Sequence, residues 1–215
     1  MKLPFLTSFI VFLFILQHHI KKGRKIQEQQ ESAFWERESS ANDVRRQSLD
    51  DLTFIPFQAE PFDPLTLLGT ESCSEFLKRN PDIKDIFSRL LFLEEQKIVN
   101  LTAYTNTDLK FKYGVANLPL LTQYDTNYNE LITLLHNYAE ILEKDFFYEQ
   151  ALTVLEYAIS IGTDISATYM LCAKLYQETD QRNKLEYLKK EAEKISTSRK
   201  NSIVRKLQEF DLCNG

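Results

Sequence analysis

The sequence predicts an all-α protein: one N-terminal transmembrane helix, a linker, and a small helical body. Three observations carry that prediction. Glycine and proline are scarce, at five and six in 215 residues. The N-terminal run is long and uncharged, and apolar residues beyond Asn80 recur at helical spacing. Few glycines and prolines favour helices over a turn-rich β architecture. Hydrophobic residues at 43% and charged residues at 27% are globular proportions, and a 25.2 kDa chain can bury the core of one ordinary domain plus a tail.

The anchor is expected over residues 1–20. Leu3 to Leu16 reads LPFLTSFIVFLFIL without a charge, and Gln17, His18 and His19 follow before Ile20. At 1.5 Å per residue the uncharged stretch Leu3 to Ile20 reaches about 27 Å, near the roughly 30 Å of a hydrocarbon core. A cleaved signal peptide is the competing reading. Only Lys2 precedes the apolar run, and Gln-His-His-Ile-Lys-Lys follows it in place of small residues, so an uncleaved anchor is expected. Lys21, Lys22, Arg24 and Lys25 then crowd the C-terminal flank. Cytoplasmic flanks collect such cations, so the expected localisation is a single-pass membrane protein with its C-terminal domain in the cytoplasm. The same basic flank is expected to meet anionic lipid headgroups.

Residues 21–71 read as a juxtamembrane helix followed by a linker. Ile26 to Arg46 is polar and helix-compatible, with Ala33, Phe34 and Trp35 as its compact apolar spot. Arg45-Arg46-Gln47-Ser48 resembles the site of a basophilic kinase, a pattern that two arginines near a serine also produce by chance. The stretch Asp50 to Phe57 is short and β-prone, and Pro56, Pro61 and Pro64 exclude a long helix before Gly69.

The helical body is expected over residues 72–215. Asn80 and Pro81 suit a helix cap and first position, followed by an apolar face of Ile83, Ile86, Phe87, Leu90, Leu91, Leu93 and Ile98. Gly114 and Pro119 break the next region into short helices, one capped by Thr107 and one over Leu118 to Leu121. The run from Asn100 to Thr107 reads as caps and turns made by short polar side chains. Its sequon, Asn100-Leu101-Thr102, matters only for an exported chain.

Beyond Leu131 the chain repeats itself. Leu135, Tyr138, Ala139 and Leu142, then Ala151, Leu155 and Ala158, are followed 34 residues later by Tyr169, Cys172, Ala173 and Tyr176, then Leu185, Lys189 and Ala192. This resembles tetratricopeptide repeats, which pair helices through small residues at close crossings and large ones in the gaps. Leu185 and Lys189 depart from the pattern, and no proline closes either unit. The resemblance covers about residues 132–199, and a closing helix is expected over 201–212. It implies a concave face of first helices that binds a protein or peptide. The outward positions on that face are Thr133, His136, Glu140 and Glu143, then Ala167, Met170, Lys174 and Gln177.

Chemistry is sparse. A net charge of -5 argues against nucleic acid. Cys73, Cys172 and Cys213 stand at no metal-ligand spacing, and no glycine loop suits a nucleotide. His136 is the only histidine away from the N-terminal segment, and no serine or cysteine shares its face. The expectation is therefore no catalytic residue, no metal and no cofactor. The function expected is a membrane-anchored adaptor that binds a protein or peptide; the alternatives are a structural subunit that joins a membrane complex or self-associates, and an exported domain left after signal-peptide cleavage.

Overall fold

The structure is a computed structural model that describes residues 3–214. Among those residues there is no strand, and nine α-helices follow in order: α1 (Leu3–Asn42), α2 (Pro64–Arg79), α3 (Asp82–Glu94), α4 (Asn106–Tyr113), α5 (Leu118–Lys144), α6 (Tyr148–Ser160), α7 (Ser166–Glu178), α8 (Leu185–Glu193) and α9 (Lys200–Asn214). They fall into two compact units. One holds the residues up to Ser48 together with Thr105–Leu118; the other holds Leu49–Tyr104 and the residues from Pro119 onward.

The expected transmembrane helix is corrected. Among the described residues no helix is long and apolar enough to cross a membrane. Helix α1 is long at 40 residues, but its apolar part is not. The run Leu3 to Leu16 rises only about 21 Å against a hydrocarbon core of roughly 30 Å. Gln17, His18 and His19 end it, and α1 continues as a polar, exposed helix through Lys21, Lys22, Arg24 and Lys25. The single-pass topology and the cytoplasmic placement of the C-terminal domain lose their basis with the anchor, because the cations orient only a segment that spans.

Within the first unit the end of α1 is fixed to α4 by charge. Lys110 and Thr107 both bond the Glu38 carboxylate, and Arg37 Nη2 lies 2.6 Å from Asp108 Oδ1. The Lys110 ammonium, then the Thr107 hydroxyl, hold the Glu38 carboxyl below the usual carboxylate range. The cap of α4 is Thr105 and not Thr107: Thr105 Oγ1 accepts from the Asp108 N–H, and the Asp108 side chain accepts from the Thr105 N–H. At Gly114, φ is 81°, and an added Cβ would press into the Arg45 backbone that crosses there.

In the second unit, residues 52–58 form an arm without helix or strand, followed by a short 3-10 helix at Glu60–Phe62. The Ile55 N–H donates to the Ile98 carbonyl at 2.9 Å, and Phe57 and Phe62 stack beside Tyr157. Helix α2 begins earlier than the prolines suggested, because Pro64 occupies its first turn, where a missing N–H is no loss, and Asp63 accepts from the Leu65 N–H. Gly69, with φ 72°, breaks α2 near the position where the helical body was expected to begin. Asn80 does not cap α3 with its side chain, which reaches back to the Phe76 carbonyl and across to Asp145. Pro119 likewise starts a helix instead of breaking one, so α5 runs unbroken for 27 residues.

Three turns in this unit share one geometry, and one of them follows α6, where the Thr163 N–H donates to the Ala158 carbonyl and the Gly162 N–H to the Ile159 carbonyl. After α5 the Phe147 N–H donates to the Leu142 carbonyl and the Phe146 N–H to the Glu143 carbonyl; after α7 Gln181 bonds Tyr176 and Asp180 bonds Gln177 in the same way. These are Schellman caps, with Phe146 and Asp180 in the left-handed region at φ 65° and 57°. Every member of the set after α7 stands 34 residues beyond its counterpart in the set after α5. Helix α9 then packs on α7 and α8 through buried Ile203 and Leu207.

Candidate functional site

The surface to test is the one formed by the second half of α5 and by α7. Its inner side is settled by burial: Leu135, Tyr138, Ala139 and Leu142 on α5, and Tyr169, Cys172, Ala173 and Tyr176 on α7, are fully enclosed. A helix that buries those positions must present the residues between them. Burial raises the Cys172 thiol to about 12, so it is a core residue and not a nucleophile.

The structure joins some of the expected positions and leaves others apart. Glu143 Oε1 and Lys174 Nζ lie 2.6 Å apart, linking α5 to α7. His136 Nδ1 lies 3.2 Å from Thr168 Oγ1, and His136 Nε2 lies 3.4 Å from Glu140 Oε1. Thr133 is exposed but turns its hydroxyl back to the Asn129 carbonyl at 2.7 Å. Met170 is half-buried against the core, Gln177 is half-buried in the last turn of α7, and Ala167 is exposed at its start. Thr168 was not among the expected positions. Nothing in its spacing marks it, because it lies on the inward side of α7 and meets His136 only through the packing of the two helices.

Thr168, His136 and Glu140 stand in the order hydroxyl, imidazole, carboxylate, which is the order a catalytic triad requires. Burial decides against that reading, since Thr168 is 0% exposed and no substrate carbonyl can approach its oxygen. The same enclosure lowers the His136 pKa, with Glu140 opposing the shift, so the ring is neutral near pH 7. Among the described residues no group of His, Cys, Asp and Glu is placed to hold a metal ion.

A separate cleft of about 360 Å³ lies between the Asn100 loop and the ends of α6 and α8. Asn100 is a structural residue there. Its amide donates to the Tyr128 hydroxyl at 2.9 Å and to the Gly162 carbonyl at 3.4 Å, and its Oδ1 accepts from the N–H and hydroxyl of Thr102. The sequon amide is thus committed inside the fold.

No family model, curated protein or solved structure matches this chain. What the α5–α7 surface can do is therefore read from its own groups. It offers one exposed cation, carboxylates at two successive turns of α5, the edge of a neutral imidazole whose nitrogens face Thr168 and Glu140, and the half-buried thioether of Met170. Such a mixed row suits an extended peptide, whose backbone and side chains supply both donors and acceptors.

Proposed function

We propose that this chain is a helical protein-interaction module that docks a peptide segment along the face shared by α5 and α7. The observation that carries the reading is the Glu143–Lys174 ion pair together with the His136–Thr168 contact. The two contacts mark helices that lie side by side, so that their outward residues form one continuous strip. Further support comes from the Schellman caps after α5 and α7, 34 residues apart, a period that tetratricopeptide repeats share. In such an arrangement the recognition residues are Thr133, His136, Glu140, Glu143, Met170, Lys174 and Gln177. Their mixed charge selects a peptide that carries both signs.

The test uses the full-length chain as bait, with a second form carrying Glu140→Lys and Lys174→Glu. The expected result is a partner retained by the first and lost by the second, while both unfold at the same denaturant concentration. Equal capture by the two forms would move binding off this strip.

A second reading, self-assembly, rests on α1, where Phe9, Phe12, Leu16 and Ile20 are all exposed. Light scattering on the full chain separates the two: a stable homo-oligomer that survives dilution favours assembly, and a monomer favours docking.

A further inference from the structure

We propose that Ser48 is a phosphorylation site for an arginine-directed protein serine kinase. The sequence Arg45-Arg46-Gln47-Ser48-Leu49 places two guanidinium groups three and two residues before a hydroxyl, with an apolar residue after it. Arginine pairs with carboxylate in a planar, two-pronged way, which is how an acidic kinase groove reads such a substrate. The chain must also lie extended in that groove, and here the fold decides.

The same sequence pattern occurs twice. Arg199-Lys200-Asn201-Ser202-Ile203 again sets two cations ahead of a serine and an apolar residue behind it. Its surroundings differ in every respect that matters. Ser202 lies in α9, half-buried, with Ile203 fully buried, and Arg199 faces Asp164 at 3.4 Å. A kinase would have to unwind that helix and empty part of the core.

Ser48 asks for much less. Helix α1 ends at Asn42, residues 44–49 have no helical or strand structure, and Arg45, Arg46, Gln47 and Ser48 are all exposed. Several bonds hold the segment. The Gln47 N–H donates to the Tyr113 carbonyl at 3.0 Å and the Gln47 carbonyl accepts from Asn117 Nδ2 at 2.8 Å, while Arg46 Nε donates to Asn117 Oδ1 at 2.8 Å. These bonds hold the backbone out of a helix, so a kinase has no helix to unwind there. Such local openings occur without global unfolding.

In the reaction Ser48 Oγ bonds to the γ-phosphorus of Mg-ATP as the bond from that phosphorus to the β–γ bridging oxygen breaks. ADP leaves, and the hydroxyl proton passes to the kinase's catalytic carboxylate. The product places a dianion beside Arg45 and Arg46, where both guanidinium groups can pair with it.

The test incubates the folded full-length chain with a serine kinase that reads arginine at those two positions, using radiolabelled Mg-ATP, and locates the label by mass spectrometry. We expect about one phosphate per chain on Ser48, little on Ser202, and loss of the label in Ser48→Ala. Arg45→Ala, whose side chain is exposed, should lower kcat/KM at least about tenfold, since one charge-assisted bidentate contact is removed. A urea-unfolded chain, returned to assay conditions as short peptides, should be labelled at both serines. Absence of label on Ser48 in the folded chain overturns the proposal, even if the peptide is a substrate. So does a rate that Arg45→Ala leaves unchanged, or equal labelling of Ser202.

Discussion

Glu143 and Lys174 meet across two helices, the carboxylate oxygen 2.6 Å from the ammonium nitrogen, and this pair sits in the middle of the proposed docking strip. The carboxylate raises the Lys174 amine above the ordinary lysine range, yet Lys174 is itself 52% exposed. Solvent screens a pair of that kind, so it contributes little to folding, at most about 1 kcal/mol. Lys174→Met should therefore leave the urea midpoint nearly unchanged while removing the only cation paired across the strip. A fall in stability of more than about 2 kcal/mol, well beyond what a screened surface pair supplies, would mean that the pair holds the helices together and does not simply mark their alignment.

Phe146 carries a cost that Asp180 largely avoids. Both occupy the left-handed position of a Schellman cap, but Phe146 is a bulky residue at φ 65° with 78% of its surface in water. An L-residue pays roughly 1–2 kcal/mol in that region, less for aspartate, whose short polar side chain can bond locally. Phe146→Gly should stabilise the chain by about 0.5–1 kcal/mol, once the greater freedom of glycine in the unfolded chain is set against the relief of strain. Asp180→Gly should gain less. Thermal unfolding of the two variants side by side checks the order; equal effects would show that the left-handed backbone, and not the side chain on it, sets the cost.

Helix periodicity is local, and the elements that follow from it are readable in the sequence: the apolar faces of α3, α6 and α7, and the closing helix α9 with Ile203 and Leu207 turned inward. Proline was harder to read, because one residue type can end a helix or begin one. Pro64 and Pro119 both stand in first turns, so α2 starts earlier and α5 runs longer than spacing alone suggests. Thr107 looked like a cap because its partner Glu38 is 69 residues away in the chain, and no local rule reaches that far. For the same reason the His136–Thr168 contact, between residues 32 apart on two helices, could not be counted along either one. The N-terminal run has the composition of an anchor, but before Gln17 it lacks the length that spanning requires.

His136 makes the strip sensitive to acid, and the sign follows from its surroundings. Burial on the side of Thr168 disfavours the imidazolium, and Glu140 only partly offsets that, so the folded pKa lies below the usual value of about 6.5. The unfolded chain then takes up a proton first as pH falls. The contribution of His136 is constant above about pH 6.5 and declines below it, levelling off once its folded pKa is passed. In the neutral ring, Nε2–H can donate to Glu140 while Nδ1 accepts from the Thr168 hydroxyl, an assignment the two distances of 3.4 and 3.2 Å permit. His136→Gln should flatten the stability profile between pH 7 and about pH 5, the interval in which histidine titrates. Urea titrations of both chains across that interval measure it. A wild-type stability that rises on acidification would mean that Glu140 outweighs burial and that the ring is charged at the surface where the peptide would lie.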